Sequence, residues 1–190
     1  QRPVGICGSG ILDAVAQMAL VGVLDGSGRL QAGHPLVAKS DDGRFECRLV
    51  SHQETGHGQD VVVTQKDVHE FQLAKAAIQV GVETLLQEAN LLPEQLEAFL
   101  IAGAFGSYVD VGSAIAIGMF PSLPSSRFRQ VGNAAGAGAR QMLVSGHARQ
   151  LAAAVKRQVH YVELARHKRF SEAFMEALYL RPFPEHTGGC

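Results

Sequence analysis

A glycine-rich run, G-I-C-G-S-G at residues 5–10, stands immediately before an apolar helical pattern. Glycine lets a backbone approach an anion closely, and the N–H groups at a helix N-terminus favour phosphate. Ser9 adds a hydroxyl donor. A tight turn with Ser9 as an ordinary helix cap explains the same residues without a ligand, and Cys7 is expected to be a small packed side chain. The motif alone leaves both interpretations open.

A second glycine motif, L-I-A-G-A-F-G at residues 100–106, continues directly from an apolar run. Gly103 and Gly106 permit a backbone on which a planar ring or a ribose can rest, and Phe105 can form one wall of the pocket. The G-x-G-x-x-G spacing of a dinucleotide fold is not found here. The pattern predicts a turn that ends a strand, with or without a bound ligand.

Two helical segments carry polar residues in places that need an explanation. Lys75 falls on an otherwise apolar stripe of the segment 64–88, so it is expected either to extend to the edge or to meet an anion. Gln72 lies on the polar face, where solvent exposure is the ordinary expectation. Asn133 opens a run of small residues, A-A-G-A-G-A, and is expected to cap a helix that packs closely on its neighbours or beneath a ligand.

Composition excludes several classes of function. The formal net charge is -1, which offers no excess of positive charge to nucleic acid or an anionic membrane, and no apolar stretch is long enough to cross a bilayer. Three widely spaced cysteines and isolated histidines give no disulfide framework and no metal-ligand spacing. Ser9 does not stand in the G-x-S-x-G motif of a serine hydrolase. We expect a cytoplasmic protein with reduced thiols and no metal site in this chain.

The elements that position these motifs follow from hydrophobic periodicity and turn residues. Alternating residues predict strands at 45–50 and 60–63 that can pair as a hairpin, and the apolar run predicts a buried strand at 98–102. The other expected elements are helices at 11–23, 64–88, 113–117, from 133, 150–157 and 170–180, strands at 128–131 and 159–164, and a loose tail at 182–190. Strands alternating with helices predict one α/β layered domain.

Four motifs in order give the chain a family resemblance. G-I-C-G-S-G-I-L-D-A-V-A, T-Q-K-D-V-H-E-F-Q-L-A-K-A-A-I, L-I-A-G-A-F-G-S-Y-V-D and V-G-N-A-A-G-A-G-A-R resemble the C-terminal half of the reductive activators of corrinoid-dependent proteins. That family belongs to the ATPase superfamily of acetate and sugar kinases, heat-shock chaperones and actin. The resemblance implies a ribonuclease-H-like ATPase lobe, with a mixed sheet flanked by helices, over residues 1–181, and a flexible tail over 182–190.

The resemblance also implies an activity and a partner. Members of the family couple ATP binding and hydrolysis to electron transfer from an N-terminal iron-sulfur domain onto the cobalt of an inactivated corrinoid protein. It assigns nucleotide contacts to ten residues: Gly8, Ser9 and Gly10 at the phosphates, Gln72 and Lys75 at adenine and ribose, Gly103, Ala104, Phe105 and Gly106 in the adenosine motif, and Asn133 at the start of the small-residue helix.

Two features of the family pattern are not found in this sequence. The D-x-G-T loops that hold Mg-ATP and the cysteine cluster of the electron-donating domain are both missing. We therefore expect the adenosine-side lobe of a longer chain, without a catalytic residue of its own and inactive as an ATPase when alone. Two alternatives stay open: a noncatalytic docking or dimerisation lobe, suggested by the apolar helix at 68–86, and a relative of small-molecule kinases.

Overall fold

The structure is a computed structural model that describes residues 2–40, 42–167 and 169–184. Helices and short strands alternate along these residues in an α/β arrangement, which confirms the expected fold class. The elements in chain order are α1 (Gly8–Leu20), β1 (Val37–Lys39), β2 (Phe45–Val50), β3 (Val61–Thr64), α2 (Gln65–Glu88), β4 (Phe99–Ala102), α3 (Val111–Ala116), β5 (Phe128–Gly132), α4 (Ala134–Val144), α5 (Gly146–Lys156) and α6 (Phe170–Ala177).

The strands form two small sheets. β1, β2 and β3 make an antiparallel sheet in which Cys47 pairs with Val37 on one side and Val63 on the other. Cys47 and Val63 are fully buried, so one face of this sheet belongs to the core. The predicted hairpin of residues 45–50 and 60–63 is therefore confirmed. β1 carries too short a pattern to be recognised in the sequence.

β4 and β5 form a separate parallel pair, with Phe99 opposite Phe128 and Ala102 opposite Gly132. The ring centroids of Phe99 and Phe128 lie 5.3 Å apart, and Phe120 completes the aromatic cluster at 5.0 Å from Phe99. Tilted ring contacts of this kind stabilise a core beyond the area that they bury. The cluster fixes the starts of both strands, so their carboxyl ends leave the pair side by side.

Helix α1 is the centre of the main core. Its buried face consists of Leu12, Val15, Ala16 and Met18, and it packs against α2, α3 and the turn after β4. The helix begins at Gly8 and ends at Leu20, three residues earlier at each end than the predicted 11–23. Burying such a side chain contributes roughly 1.5–3 kcal/mol. This packing fixes the glycine-rich N-terminus of α1 relative to β4.

The second half of the chain departs from the sequence prediction at one element. Residues 159–164 alternate as a strand does, but they form no strand in the part of the chain that the structure describes, and Leu164–Arg166 is a 3-10 turn. Alternation produces a strand only where a neighbouring strand offers its backbone groups. α5 begins at Gly146, earlier than the predicted 150, and Ser145 caps it by accepting a hydrogen bond from Ala148 N–H.

A buried lysine joins α2 to the C-terminal segment. Lys75 is 0% exposed, and its ammonium donates to the carbonyl oxygens of Ala177 and Tyr179, both at 2.9 Å, and to Gln79 Oε1 at 2.6 Å. The carbonyl groups lie at the end of α6, where a cation also favours the helix dipole. The expectation that Lys75 extends to the edge of the apolar stripe is wrong, because backbone acceptors meet it inside the protein.

Gln72 makes a parallel connection one turn earlier on α2. Its amide donates to the carbonyl oxygens of Ser27, at 2.9 Å, and Leu178, at 2.7 Å. Gln72 is 5% exposed, so the solvent-exposed position expected from the helical pattern is wrong. Together Gln72 and Lys75 hold α2, the turn at 25–28 and the end of α6 in one polar layer inside the fold.

The chain remains packed beyond residue 181. Phe183 is 5% exposed, and the backbone at Arg181 passes so close to Gly118 that a Cβ there would lie 2.1 Å from the Arg181 carbonyl oxygen. Gly118 also has a φ of +75°. The described part of the expected tail is therefore folded against the core as far as Phe183, and residues 185–190 lie outside the described residues. None of the described helices has the length and apolar character needed to cross a membrane.

We expect Lys75→Met to destabilise the fold by about 2 kcal/mol at pH 7, because buried carbonyl oxygens lose their donor. Lys66→Met is the matched control: Lys66 lies in the first turn of the same helix and is exposed, so its replacement should change the free energy of unfolding by less than about 0.5 kcal/mol. Urea unfolding of the two variants measures the difference, and equal stabilities would contradict the assigned role.

The same lysine predicts a pH dependence. Burial lowers the pKa of Lys75 to about 8, with a further lowering by Arg181 and an opposing effect of Glu83. In the unfolded chain the pKa is about 10.4, so between these values the unfolded state binds more protons and stability rises with pH. Relative to Lys75→Met, the wild-type free energy of unfolding should rise between pH 8 and 10, by at most about 3 kcal/mol. A flat or falling difference would contradict this.

Candidate functional site

Two glycine-containing turns meet where the parallel strands β4 and β5 end. Gly103 N–H donates to the carbonyl oxygen of Gly132 at 2.7 Å, and both residues have positive φ, +101° and +63°. Ser107 Oγ donates to the Gly103 carbonyl at 3.3 Å. The carboxyl ends of parallel strands are the usual place for a ligand in α/β folds. We call this pair of turns the glycine junction.

The turn after β4 also reaches the glycine-rich start of α1. A Cβ at Gly8 would lie 3.2 Å from two carbon atoms of the Phe105 ring, so the ring rests directly on the Gly8 backbone. Phe105 keeps about half of its surface exposed. The first and second glycine motifs, which are nearly a hundred residues apart in sequence, are therefore in contact.

A cavity of about 710 Å³ opens beside this contact. Gly8 and Phe105 line it together with one face of α2, and the volume lies within the range of small-molecule pockets. Its other walls come from the loop before β3 and the end of α3. The lining residues also include Cys7 and Ile11 at the start of α1, His57 and Asp60 in the loop before β3, and Met119 shortly after α3. Those on α2 are Asp67, Glu70, Phe71, Ala74 and Ile78.

The polar lining of the cavity is mainly acidic. Asp60 accepts hydrogen bonds from His52 and Arg48, and the backbone N–H of His52 is the largest cause of a lowered Asp60 pKa. Asp67 accepts the Thr64 N–H in the capping box of α2. Carboxylates accept hydrogen bonds from hydroxyl and amino groups but repel phosphate. The cavity therefore suits the sugar or base of a nucleotide rather than its phosphates.

Cys7 differs from the sequence expectation. Its thiol is exposed instead of packed, and it lies 3.3 Å from Ser9 Oγ at the N-terminus of α1. The hydrogen bond with Ser9 is the largest cause of a lowered Cys7 pKa, followed by the backbone N–H of Gly10. The first N–H groups of α1 thus point toward the same rim of the cavity, where they favour negative charge.

The ten residues expected at the nucleotide fall into two separate places. Gly8, Ser9 and Gly10 start α1; Gly103, Ala104, Phe105 and Gly106 form the turn after β4; and Asn133 caps α4 by accepting Gly136 N–H at 2.9 Å. Of the ten, only Gly8 and Phe105 line the cavity, while Gly103 bonds to Gly132, the residue before Asn133, in the glycine junction. Gln72 and Lys75 do not line the cavity, and their donors are bonded to backbone carbonyls, which argues against adenine and ribose contacts for them.

The face of α2 that lines the cavity is one that the sequence pattern does not single out. Glu70 and Ala74 are four residues apart, so they lie above one another on the helix and both face the cavity. The signal available in the sequence was this spacing of an acidic and a small residue beside the buried stripe. Among the described residues, no group of three or more His, Cys, Asp or Glu side chains is arranged to hold a metal ion.

Gly106 provides a test of the close turn after β4. A Cβ there would lie 2.6 Å from Ile101 Cγ2 on the preceding strand, so Gly106→Ala should lower the free energy of unfolding by about 1–3 kcal/mol. Gly138, inside α4, has nothing within 4 Å of its would-be Cβ, and Gly138→Ala should raise stability by up to about 1 kcal/mol. Thermal unfolding of the pair measures both signs, and a neutral Gly106→Ala would contradict the close approach.

Comparisons with known proteins place this chain in a family. Residues 1–186 match the family described as the C-terminal domain of RACo, the ASKHA domain. The chain is 37% identical over 181 residues to the corrinoid activation enzyme RamQ of Eubacterium limosum, covering 91% of this chain and 30% of RamQ. It is 28% identical over 141 residues to a protein of Methanosarcina barkeri named [Co(II) methylated amine-specific corrinoid protein] reductase, covering 74% of this chain and 22% of that protein.

A solved structure shares the fold. The reductive activator for corrinoid, iron-sulfur protein superposes with a TM-score of 0.86 at 34% identity, covering 95% of this chain and 29% of that one. The chain thus spans less than a third of the length of the relatives that it matches. The match over nearly all of its residues, together with the glycine junction, shows that the chain belongs to the family of C-terminal ASKHA domains of corrinoid reductive activators.

Proposed function

We propose that this chain is the nucleotide-binding lobe of an ATP-dependent reductive activator. In this proposal the whole protein returns an inactivated corrinoid protein from cobalt(II) to cobalt(I), using electrons from an iron-sulfur domain that lies outside these residues. The observation that carries the proposal is the glycine junction, where two turns at the carboxyl ends of β4 and β5 meet the start of α1 beside a cavity. Relatives are named for corrinoid activation and for the reduction of a Co(II) corrinoid protein.

The cavity fits the nucleoside part of ATP. Gly103 does not line the cavity, but it has no atom within 4 Å of a would-be Cβ, so a ring or ribose that extends beyond the cavity can approach its backbone. Phe105 and Phe71 supply apolar surface, and the exposed carboxylate of Glu70 can accept hydrogen bonds from ribose hydroxyls. These contacts would hold and orient the nucleoside.

The phosphates would lie toward the N-terminus of α1. Gly8, Ser9 and Gly10 form the first turn of α1, where backbone N–H groups have no acceptor within the helix and favour an anion. Mg²⁺ bound to ATP supplies charge neutralisation during phosphoryl transfer. Among the described residues, no group of three or more His, Cys, Asp or Glu side chains could hold a metal ion. In our proposal the catalytic carboxylates therefore belong to another part of the protein. Residues 1–181 form the lobe, and Phe183 extends its packing.

A cytoplasmic location and a homodimer are parts of the same proposal. Reduction of cobalt(II) to cobalt(I) requires a reducing compartment, which agrees with Cys7 and Cys47 being free thiols. A dimer is suggested by an apolar strip from α2 to β4, in which Leu85 and Leu100 are both more than half exposed. Exposed strips of this kind mark interaction surfaces.

The test uses the full-length protein with a corrinoid protein in the cobalt(II) state. Under anaerobic conditions with a reductant, Mg-ATP should accelerate the appearance of the cobalt(I) absorbance. Ala74→Leu places a larger side chain in the cavity and should reduce ATP affinity at least tenfold, whereas Ala77→Leu, on the exposed side of the same helix, should leave it unchanged. The activity is refuted if ATP gives no acceleration, and the site is refuted if both variants bind ATP as the wild type does.

A further inference from the structure

One face of α2 points into the protein although its residues are polar. They are spaced by three, four or seven positions, which places them on one side of the helix: Gln65, Gln72, Lys75, Gln79 and Glu83. Gln72, Lys75 and Gln79 are each less than a tenth exposed. Buried polar groups need hydrogen-bond partners, so other elements must supply acceptors to this face, which we call the polar stripe.

At its start, the polar stripe binds the backbone of the turn that follows α1. Gln65 Nε2 donates to the Gly28 carbonyl oxygen at 2.7 Å, and Gln65 Oε1 accepts Leu30 N–H at 2.9 Å. Two helical turns later, Gln72 Nε2 donates to the Ser27 carbonyl oxygen at 2.9 Å. These bonds tie α2 to the chain that leaves the end of α1.

The polar stripe also holds the end of α6. Lys75 donates to the carbonyl oxygens of Ala177 and Tyr179. Gln72 donates to the carbonyl oxygen of Leu178, which lies between them in sequence. Two side chains of α2 therefore bind three successive carbonyl oxygens, and they recognise the course of the backbone there rather than its side chains.

A backbone hydrogen bond closes this arrangement. Leu180 N–H donates to the Gly26 carbonyl oxygen at 2.8 Å, so the end of α6 is bonded to the turn after α1 as well as to α2. Beyond it the chain stays packed as far as Phe183. We call residues 177–183 the C-terminal strap. The strap, the turn and α2 form one hydrogen-bonded unit.

Every N–H group on the side chains of Lys75 and Gln72 has an acceptor among the described residues. The ammonium of Lys75 has three, which meet two strap carbonyls and Gln79 Oε1. The amide of Gln72 has two, which meet one carbonyl of the turn and one of the strap. Gln79 Nε2 in turn donates to Glu83 Oε1 at 2.7 Å, which connects the buried charge to a carboxylate.

The neighbouring face of α2 lines the nucleotide cavity, with Glu70 and Ala74 in it. Successive residues of a helix are about 100° apart around its axis, so a rotation of α2 by a fraction of that angle moves both side chains relative to a ligand. Apolar packing is non-directional, whereas hydrogen bonds to carbonyl oxygens are directional. The polar stripe thus supplies the directional constraint on the rotation of α2.

We propose that Gln72 and Lys75 are positioning residues of the nucleotide site, and that nucleotide binding is coupled through α2 to the closure of the C-terminal strap. This inference rests on the proposed function, which makes a nucleotide the occupant of the cavity. A nucleotide that requires Glu70 and Ala74 in place stabilises the strap bonds that place them, and by linkage the loss of those bonds weakens the nucleotide equally. Gln72 and Lys75 then serve the nucleotide without touching it.

Five variants of the full-length protein test this coupling. Gln72→Met and Lys75→Met remove the donors and keep the length of the side chains. Gln87→Met and Lys66→Met make the same changes at exposed positions of α2. Leu123→Ala, in the core but outside the cavity, controls for a loss of stability alone.

All measurements are made anaerobically, with Mg²⁺ and well below each variant's melting temperature. Calorimetry gives the Kd of ATP, 2′-deoxy-ATP and inosine triphosphate. The rate of corrinoid reduction gives KM for ATP and kcat. Hydrogen exchange followed by mass spectrometry reports the protection of the strap amides, with β1 and β2 as the internal reference.

Gln72→Met and Lys75→Met should each raise Kd and KM for ATP about fivefold or more, with kcat at saturating ATP unchanged. All three nucleotides should lose affinity alike, because the polar stripe touches neither base nor ribose. The three control variants should bind ATP as the wild type does. In the wild type, ATP should slow exchange in the strap more than in β1 and β2, and this extra protection should be lost in Lys75→Met.

Wild-type ATP affinity in both stripe variants overturns the inference. A fall in kcat at unchanged KM also overturns it, since a smaller folded fraction gives that result. So does a loss of affinity that one of the three nucleotides escapes, since it indicates direct contact with the base or ribose. Equal protection of the strap and the reference strands overturns the coupling.

If Lys75→Met does not fold, Gln72→Met decides, because it removes only a neutral amide. If the wild type binds no ATP, the proposed function itself fails and this inference falls with it. Wild-type binding of ATP without an effect of the stripe variants leaves the proposed function standing and refutes this inference alone.

Discussion

The buried ammonium of Lys75 determines how the longest helix sits in the fold. A charge with no access to solvent requires acceptors, and the carbonyl oxygens of Ala177 and Tyr179 supply them. Since those oxygens belong to the C-terminal segment, α2 can take only one rotation about its axis. Gln72, one turn away, enforces the same rotation through Leu178. The cavity face of α2 is thus a consequence of a hydrogen-bonded layer on the neighbouring face of the helix.

This constraint accounts for the positions of Gln72 and Lys75, which the resemblance to other ATPases assigns to adenine and ribose. The motif at 103–106 follows a strand, and a strand end is defined by the backbone alone. The direction of a side chain on a helix depends instead on how the helix is rotated about its axis. The sequence shows that Lys75 and Gln72 are polar, but it does not show whether a ligand or a backbone carbonyl oxygen accepts their hydrogen bonds. Glu70 and Ala74 take the cavity face because the layer around Lys75 occupies the other.

Much of the fold was predictable because local signals agree with the packing. Thr64 and Asp67 form the capping box that starts α2, and Asp110 and Asn133 cap α3 and α4. The strand predicted at 159–164 failed because alternation describes side chains and contains no information on a partner strand. The contact between Gly8 and Phe105 was equally hidden, since it joins residues whose proximity depends on the core around α1.

The cavity wall and the helices α4 and α5 differ in how the fold supports them. Gly8 and Phe105 are held between α1 and β4, both of which contribute to the main core, so the cavity wall that they form is well packed. α4 and α5 have no fully buried residue, and α4 follows directly on β5 and the glycine junction. The two helices therefore depend on their own hydrogen bonds and on the caps Asn133 and Ser145 more than on tertiary packing.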